Sequence, residues 1–347
     1  MALGALKRTM GFTIILVFAI FLGLLTMVSV FLLVDPVVSF LVGLFGSLLI
    51  MLLQFLIGPA IVSATTGLRY LSPGENRLLE SKVGQLSSKA GIPMPRLAVV
   101  PNATPNAFVF GRSQKGATLA VHQGLLERLD EDEVEGVIGH ELGHAKHRDF
   151  IVVTLISAIP LIAYFIARLA FSAGAASGSG GRRSRGGNGG LIIVAAIGAY
   201  AVYILTTLLA LRLTRLREHY ADAYSAFLTE RPRELESALT KIAYGLSLSQ
   251  EEPHGARAFF IEDPAQAKRD VGFIMDQKSR FDLDRDGVLS ERELELAMQE
   301  EARSNWRKAN ELMSTHPPVF KRILLLREIE QDMTTGTFQQ SNVYKHV

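Results

Sequence analysis

Four long apolar blocks constrain this chain more than any other feature: Met10 to Val34, Val37 to Val62, Phe150 to Phe171 and Leu191 to Leu211. Each is long enough to cross a hydrocarbon core, which takes about 20 helical residues. Buried helices of a soluble core would keep a polar stripe, but the first two blocks are apolar all round and almost uncharged. Asp35-Pro36 makes a tight polar break between them, so they read as a transmembrane hairpin over residues 1–62. Lys7 and Arg8 precede the first block, yet the apolar run is too long for a signal peptide and no small-residue cleavage site follows it. The later blocks are interrupted by Arg168 and joined by a glycine-rich connector with Arg182, Arg183 and Arg185, which leaves a second hairpin or a pair of partly embedded helices over 150–212.

Residues 63–149 and 213–347 are then the two halves of one extramembrane domain, brought together if both later blocks cross. Its first half reads as helix, small sheet, helix. Ser72-Pro73-Gly74-Glu75 has the residues of a capped helix start, with the helix running to about Lys89. Strand-like pieces follow at Leu97 to Val100, Ala107 to Phe110 and Thr118 to Val121. Asp130 with Glu133 three residues on opens another helix, whose apolar face is Val134, Val137, Ile138 and Leu142. The fold expected is an α-helical membrane protein carrying an α+β domain, mostly helical with a small sheet whose edge can pair with an extended peptide.

That helix carries His140-Glu141-Leu142-Gly143-His144. Histidines four residues apart stand on one helix face and can share a metal ion, while Glu141 lies off that axis, where a general base is needed. With no cysteine in the chain, any metal must use histidine and carboxylate. A third ligand has to come from downstream. Glu218 can supply one, leaving an open tetrahedral position as in a catalytic zinc site, with Asp222 one turn on to accept a hydrogen bond from a ligand histidine, although without the first motif this stretch reads better as a solvated charged helix with Arg-Glu pairs. Ligand type alone leaves other divalent ions open. The formal net charge of +2 and the lack of a basic stripe with interleaved aromatics exclude nucleic acid as a natural partner.

The apolar hairpin, the HELGH run, Glu218-His219-Tyr220-Ala221-Asp222, Pro105-Asn106-Ala107-Phe108 upstream and Ser314-Thr315-His316-Pro317-Pro318 downstream resemble the HtpX-type membrane zinc metalloproteases, relatives of the CAAX prenyl endopeptidases. The resemblance covers nearly all of the chain. It implies a gluzincin-like fold, zinc on His140, His144 and Glu218, Glu141 as general base, and endopeptidase action on membrane or misfolded proteins. It also implies that Asn106 and Phe108 lie beside the substrate cleft and that His316 stabilises the oxyanion, although a histidine before Pro-Pro equally suits a structural helix start. His219 departs from the aromatic that usually follows the third ligand. Lys7, Arg8, Arg69, Lys146, Arg148, Arg212, Arg215 and Arg217 lie on the side of the motifs, against three arginines in the far loop. The positive-inside rule therefore places the protease domain in the cytoplasm, on a multi-pass protein of the cell membrane.

One segment is foreign to that pattern. Asp282 to Glu293 fits a twelve-residue EF-hand loop within a helix-flanked stretch at 265–310. Asp282, Asp284 and Asp286 supply hard oxygens, Gly287 the sharp turn, Val288 a backbone carbonyl, Ser290 a hydroxyl and Glu293 a bidentate carboxylate. Calcium is thus a second expected ion, and a gate on the helix leading to His316 its expected role. Three readings compete with a zinc endopeptidase. A membrane-anchored calcium sensor with a vestigial protease site is opposed by the intact His140, Glu141, His144 and Glu218. An intramembrane protease needs HExxH inside an apolar helix, whereas Asp130, Glu131, Asp132, Glu133 and Glu135 precede it here. A prenyl-protein endopeptidase calls for a more enclosed membrane chamber than four short blocks provide.

Overall fold

The computed structural model describes residues 2–33, 35–179, 188–247, 278–281, 283, 311–339 and 342–347. The acidic-loop residues Asp282 and Asp284 to Glu293 lie outside the described residues, with most of their flanking segments. The chain divides into two compact units: Gly4–Gly58 with Ile151–Leu213, and Met1–Leu3 with Pro59–Phe150 and Thr214–Val347.

The first unit is built from helices α1 (Ala2–Leu33), α2 (Pro36–Thr66), α6 (Asp149–Ser179) and α7 (Asn188–Thr229), one end of each belonging to the second unit. Val17, Phe21 and Leu24 of α1 pack with Ile159, Ala163 and Ala167 of α6 and Ala199 of α7. The alanines leave room for large side chains from the facing helix, so these apolar surfaces fit closely. Among the described residues, three helices are long and apolar enough to cross a membrane: Leu6–Val30, Pro36–Thr66 and Ile192–Thr229. Helix α6 carries a shorter apolar run, Ile162–Ser172. Phe12, Phe45, Leu169 and Val194 are more than half exposed, an outer surface that suits lipid rather than water.

The second unit is layered around a four-stranded sheet in the order β1 (Arg69–Tyr70), β2 (Arg96–Val100), β4 (Thr118–His122), β3 (Ala107–Phe110). β2 and β4 are parallel and the outer pairings antiparallel, with Leu97 opposite Leu119 and Val109 also opposite Leu119. Alternate residues Ala98, Val100, Phe108, Phe110 and Ala120 close one face with Val62 of α2. Every residue of β3 and β4 is buried, so the other face is covered as well. Helix α3 (Arg77–Ala90) begins later than its sequence signals predict. Gly74, at φ +80°, takes the chain out of helical geometry, and Asn76 caps the helix instead by accepting from the Leu79 N–H at 3.0 Å. Glu75 still reaches back to the Ser72 N–H at 2.9 Å, so the local bond formed without the helix.

After the short α4 (Gln123–Arg128) comes α5 (Glu131–His147), which opens with the expected reciprocal cap: Asp130 accepts from the Asp132 and Glu133 N–H groups, and Glu133 from the Asp130 N–H. It ends at Arg148 in the left-handed conformation, φ +61°. Down one side of α5, Gly136, Gly139 and Gly143 lie directly against α7 and α8 (Pro232–Ser247), with no room for a side chain. A Cβ on Gly136 would stand 2.9 Å from the Leu235 nitrogen, one on Gly139 2.7 Å from Ser225 Oγ, and one on Gly143 3.1 Å from the Ala221 Cα. Ser225 Oγ donates to the Gly136 carbonyl at 2.7 Å and ties the same seam. Gly136→Val is therefore expected to lower stability by about 3 kcal/mol, the upper end for overpacking, seen as an earlier midpoint in thermal denaturation of the detergent-solubilised chain. Among the described residues the last elements are one turn, α9 (Lys278–Phe281), and α10 (Val319–Thr334).

Candidate metal centre

The glycine seam fixes where the third ligand meets the first two. Gly143 of α5 touches Ala221 of α7, three residues past Glu218, so Glu218 is delivered over the histidine face of α5. His140 Nε2 and His144 Nε2 lie 3.2 Å apart, and Glu218 places Oε2 3.4 Å from the first and Oε1 3.4 Å from the second. The rings stand at 90° to one another, and all three side chains are buried. Glu218 Oε2 has no hydrogen-bond partner, although a buried carboxylate oxygen is costly to leave unmet. Two imidazole nitrogens and a carboxylate converging around it are a donor set for a divalent cation such as zinc.

Carboxylates close to the two histidines raise their affinity for protons. Burial pulls His144 down, but Glu218 and Asp149 outweigh it and lift it to about 10. For His140, burial is likewise overcome by the neighbouring carboxylates of Asp222 and Glu218, and the net shift is upward. Glu141, also buried, is raised chiefly by its loss of water, a tendency that His144 and His140 oppose. The backbone of Val109 in β3 hydrogen-bonds to it, so the candidate base sits against the edge strand of the sheet.

Each histidine is held from behind by a carboxylate. Asp222 Oδ1 lies 2.9 Å from His140 Nδ1, as its position one turn after Glu218 leads one to expect. Three residues in this outer ring were not read from the sequence. Arg322 of α10, fully buried, donates from Nε to Asp222 Oδ2 at 2.8 Å and from Nη2 to Oδ1 at 2.7 Å. Its signal was an arginine on the apolar stripe of Val319, Ile323, Leu326 and Ile329. Asp149, the first residue of α6, places Oδ2 2.8 Å from His144 Nδ1, and Arg217 Nε lies 3.2 Å from its Oδ1. Nothing in the spacing of Asp149 marks it, because Arg148 breaks the helix between it and His144.

His316 is buried with Nε2 3.9 Å from Glu218 Oε2, and its Nδ1 lies 3.0 Å from Thr315 Oγ1. Arg215 of α7 fastens the turn before it, donating to the Leu312 and Ser314 carbonyls at 3.3 and 2.7 Å. Asn106 and Phe108 are both buried, and Phe108 packs in the apolar cluster on one face of the sheet, edge-on to His122.

A buried two-histidine, one-glutamate cluster with a further glutamate beside it, in a chain with membrane-length helices, defines a membrane metalloprotease. Residues 73–330 match the profile of Peptidase family M48, and the chain belongs to that family. It is 37% identical over 248 residues to a "Protease HtpX homolog" of Methanothermobacter thermautotrophicus, covering 71% of this chain and 89% of that protein. A protein of the same description from Moorella thermoacetica is 33% identical over 283 residues, 81% of each chain. The crystal structure of S. mikatae Ste24p is similar at 17% identity with a TM-score of 0.49, over 94% of this chain and 66% of its own.

Proposed function

We propose that this protein is a zinc-dependent endopeptidase of the cell membrane that cuts membrane or misfolded proteins on the cytoplasmic side. The observation that carries the reading is the buried convergence of His140, His144 and Glu218 around an unsatisfied carboxylate oxygen, with Glu141 alongside. These three residues would hold zinc, which when bound supplies a Lewis acid that polarises a carbonyl and acidifies water. Glu141 takes the proton from the attacking water and returns it to the leaving amine; its burial favours the protonated form that the second step requires. His316 donates to the oxyanion, and the turn held by Arg215 keeps it near Glu218. An extended substrate pairs with the β3 backbone, next to Glu141. The excess of Lys and Arg flanking the motifs supports the cytoplasmic orientation. The Asp282 to Glu293 loop binds calcium and modulates the rate.

The test is cleavage of casein by the detergent-purified chain, metal-stripped and then reloaded with zinc, with and without calcium. Stripping is expected to abolish cleavage and zinc to restore it, one ion per chain. Calcium should change the restored rate, and should leave unchanged a chain carrying Asp282→Ala and Glu293→Gln. A stripped protein that cuts as fast as the loaded one sinks the zinc reading; equal rates with and without calcium sink the modulation.

A further inference from the structure

The two histidines of the metal cluster are not supported alike. Behind His140 stands a closed pair: Asp222 and Arg322 join through two hydrogen bonds, and neither is exposed. Behind His144 stands Asp149, also with no exposure, from the first position of α6. Its second oxygen meets Arg217 Nε in an ion pair at 3.2 Å that lacks hydrogen-bond geometry, and Arg217 Nη1 is likewise buried without a hydrogen-bond partner. Arg217 is the residue immediately before Glu218. One turn of α7 therefore presents Glu218 to the cation and Arg217 to the carboxylate that holds the opposite ligand. His147 and Tyr344 lie close enough to feel the charge of Asp149; they hydrogen-bond to one another at 2.8 Å, and their rings pack with Tyr220.

We infer that Asp149, backed by Arg217, is the positioning residue for His144: it accepts the Nδ1–H, leaves the Nε2 lone pair free for the cation, and ties the ring to the same helical turn as Glu218. The inference rests on the zinc reading and adds to it a second, metal-independent link between two of the three ligands. A ligand imidazole whose far nitrogen loses its acceptor can adopt the other tautomer or swing out of line, and loss of such a partner typically weakens metal binding 10- to 100-fold.

The experiment uses the full chain in detergent and compares wild type, Asp149→Ala and Asp149→Asn. Zinc affinity is read by competition with a chelator, and site geometry by the visible absorption of the cobalt-substituted proteins. Asp149→Ala is expected to bind zinc roughly 10- to 100-fold more weakly, with kcat lowered and KM for casein unchanged. Asp149→Asn keeps an acceptor oxygen and should fall between, with a shifted cobalt spectrum. A purely structural role lowers the unfolding midpoint but, well below that midpoint, leaves zinc affinity and the cobalt spectrum as in wild type; that outcome overturns the inference. If the alanine variant does not fold, the asparagine variant decides by the same two readouts. Wild type that binds no zinc overturns the metal reading and this inference with it, whereas wild type and both variants binding equally overturn only the latter.

Discussion

Glu141→Gln should leave a folded, zinc-competent protein that cleaves casein about 10²–10⁴-fold more slowly than wild type, the range expected for loss of a general base. The amide is nearly the shape of the carboxylate, so the pocket between α5 and β3 stays filled, but it cannot accept the proton of the attacking water. The substitution should not cost stability, because burial already disfavours the charged form of this side chain. The measurement is a steady-state assay with zinc content determined on the same sample. A variant that keeps its zinc and more than a tenth of its rate would place the base elsewhere.

Arg322→Met has its largest effect on the folded state. It removes both hydrogen bonds from Asp222 and leaves a carboxylate with no exposure facing only His140. Breaking one side of a buried ion pair costs about 3–5 kcal/mol, because the remaining charge is neither solvated nor compensated. The chemical denaturation midpoint of the metal-free protein should fall accordingly. Adding Asp222→Asn should recover part of the loss, since no buried charge is then left alone; the double-mutant cycle measures the coupling. A midpoint unchanged in Arg322→Met would show that Asp222 finds another partner.

Local rules made much of this legible from the residues. Asp130 and Glu133 announced α5 because both halves of a cap lie within four residues, and the three main strands stood out between Pro, Asn and Gly. Helical spacing paired His140 with His144, whereas Glu218 stood out only beside that motif; the three converge in the fold. The start of α3 was misjudged, since Ser72, Pro73 and Glu75 favour a helix that the left-handed Gly74 refuses. The partners behind the ligands were invisible for a different reason. Asp222 and Arg322 are 100 residues apart, and only the packing of α10 on the rest of the domain brings them together. Phe108 shows the converse: its place beside a cleft came from the resemblance alone, and its ring packs with Val62, Ala98 and Phe110.

The seam at Gly136, Gly139 and Gly143 bears on how much work a metal ion does when it enters. With backbones this close, α5 can neither slide by one residue, a 1.5 Å rise, nor turn about its axis without driving a side chain into Leu235, Ser225 or Ala221. The spacing between the histidines and Glu218 is thus a property of the rigid frame, set before any ion arrives. Metal uptake should then bury little new surface and order few residues, so its heat-capacity change should be small, in contrast to domains that fold only around their ion.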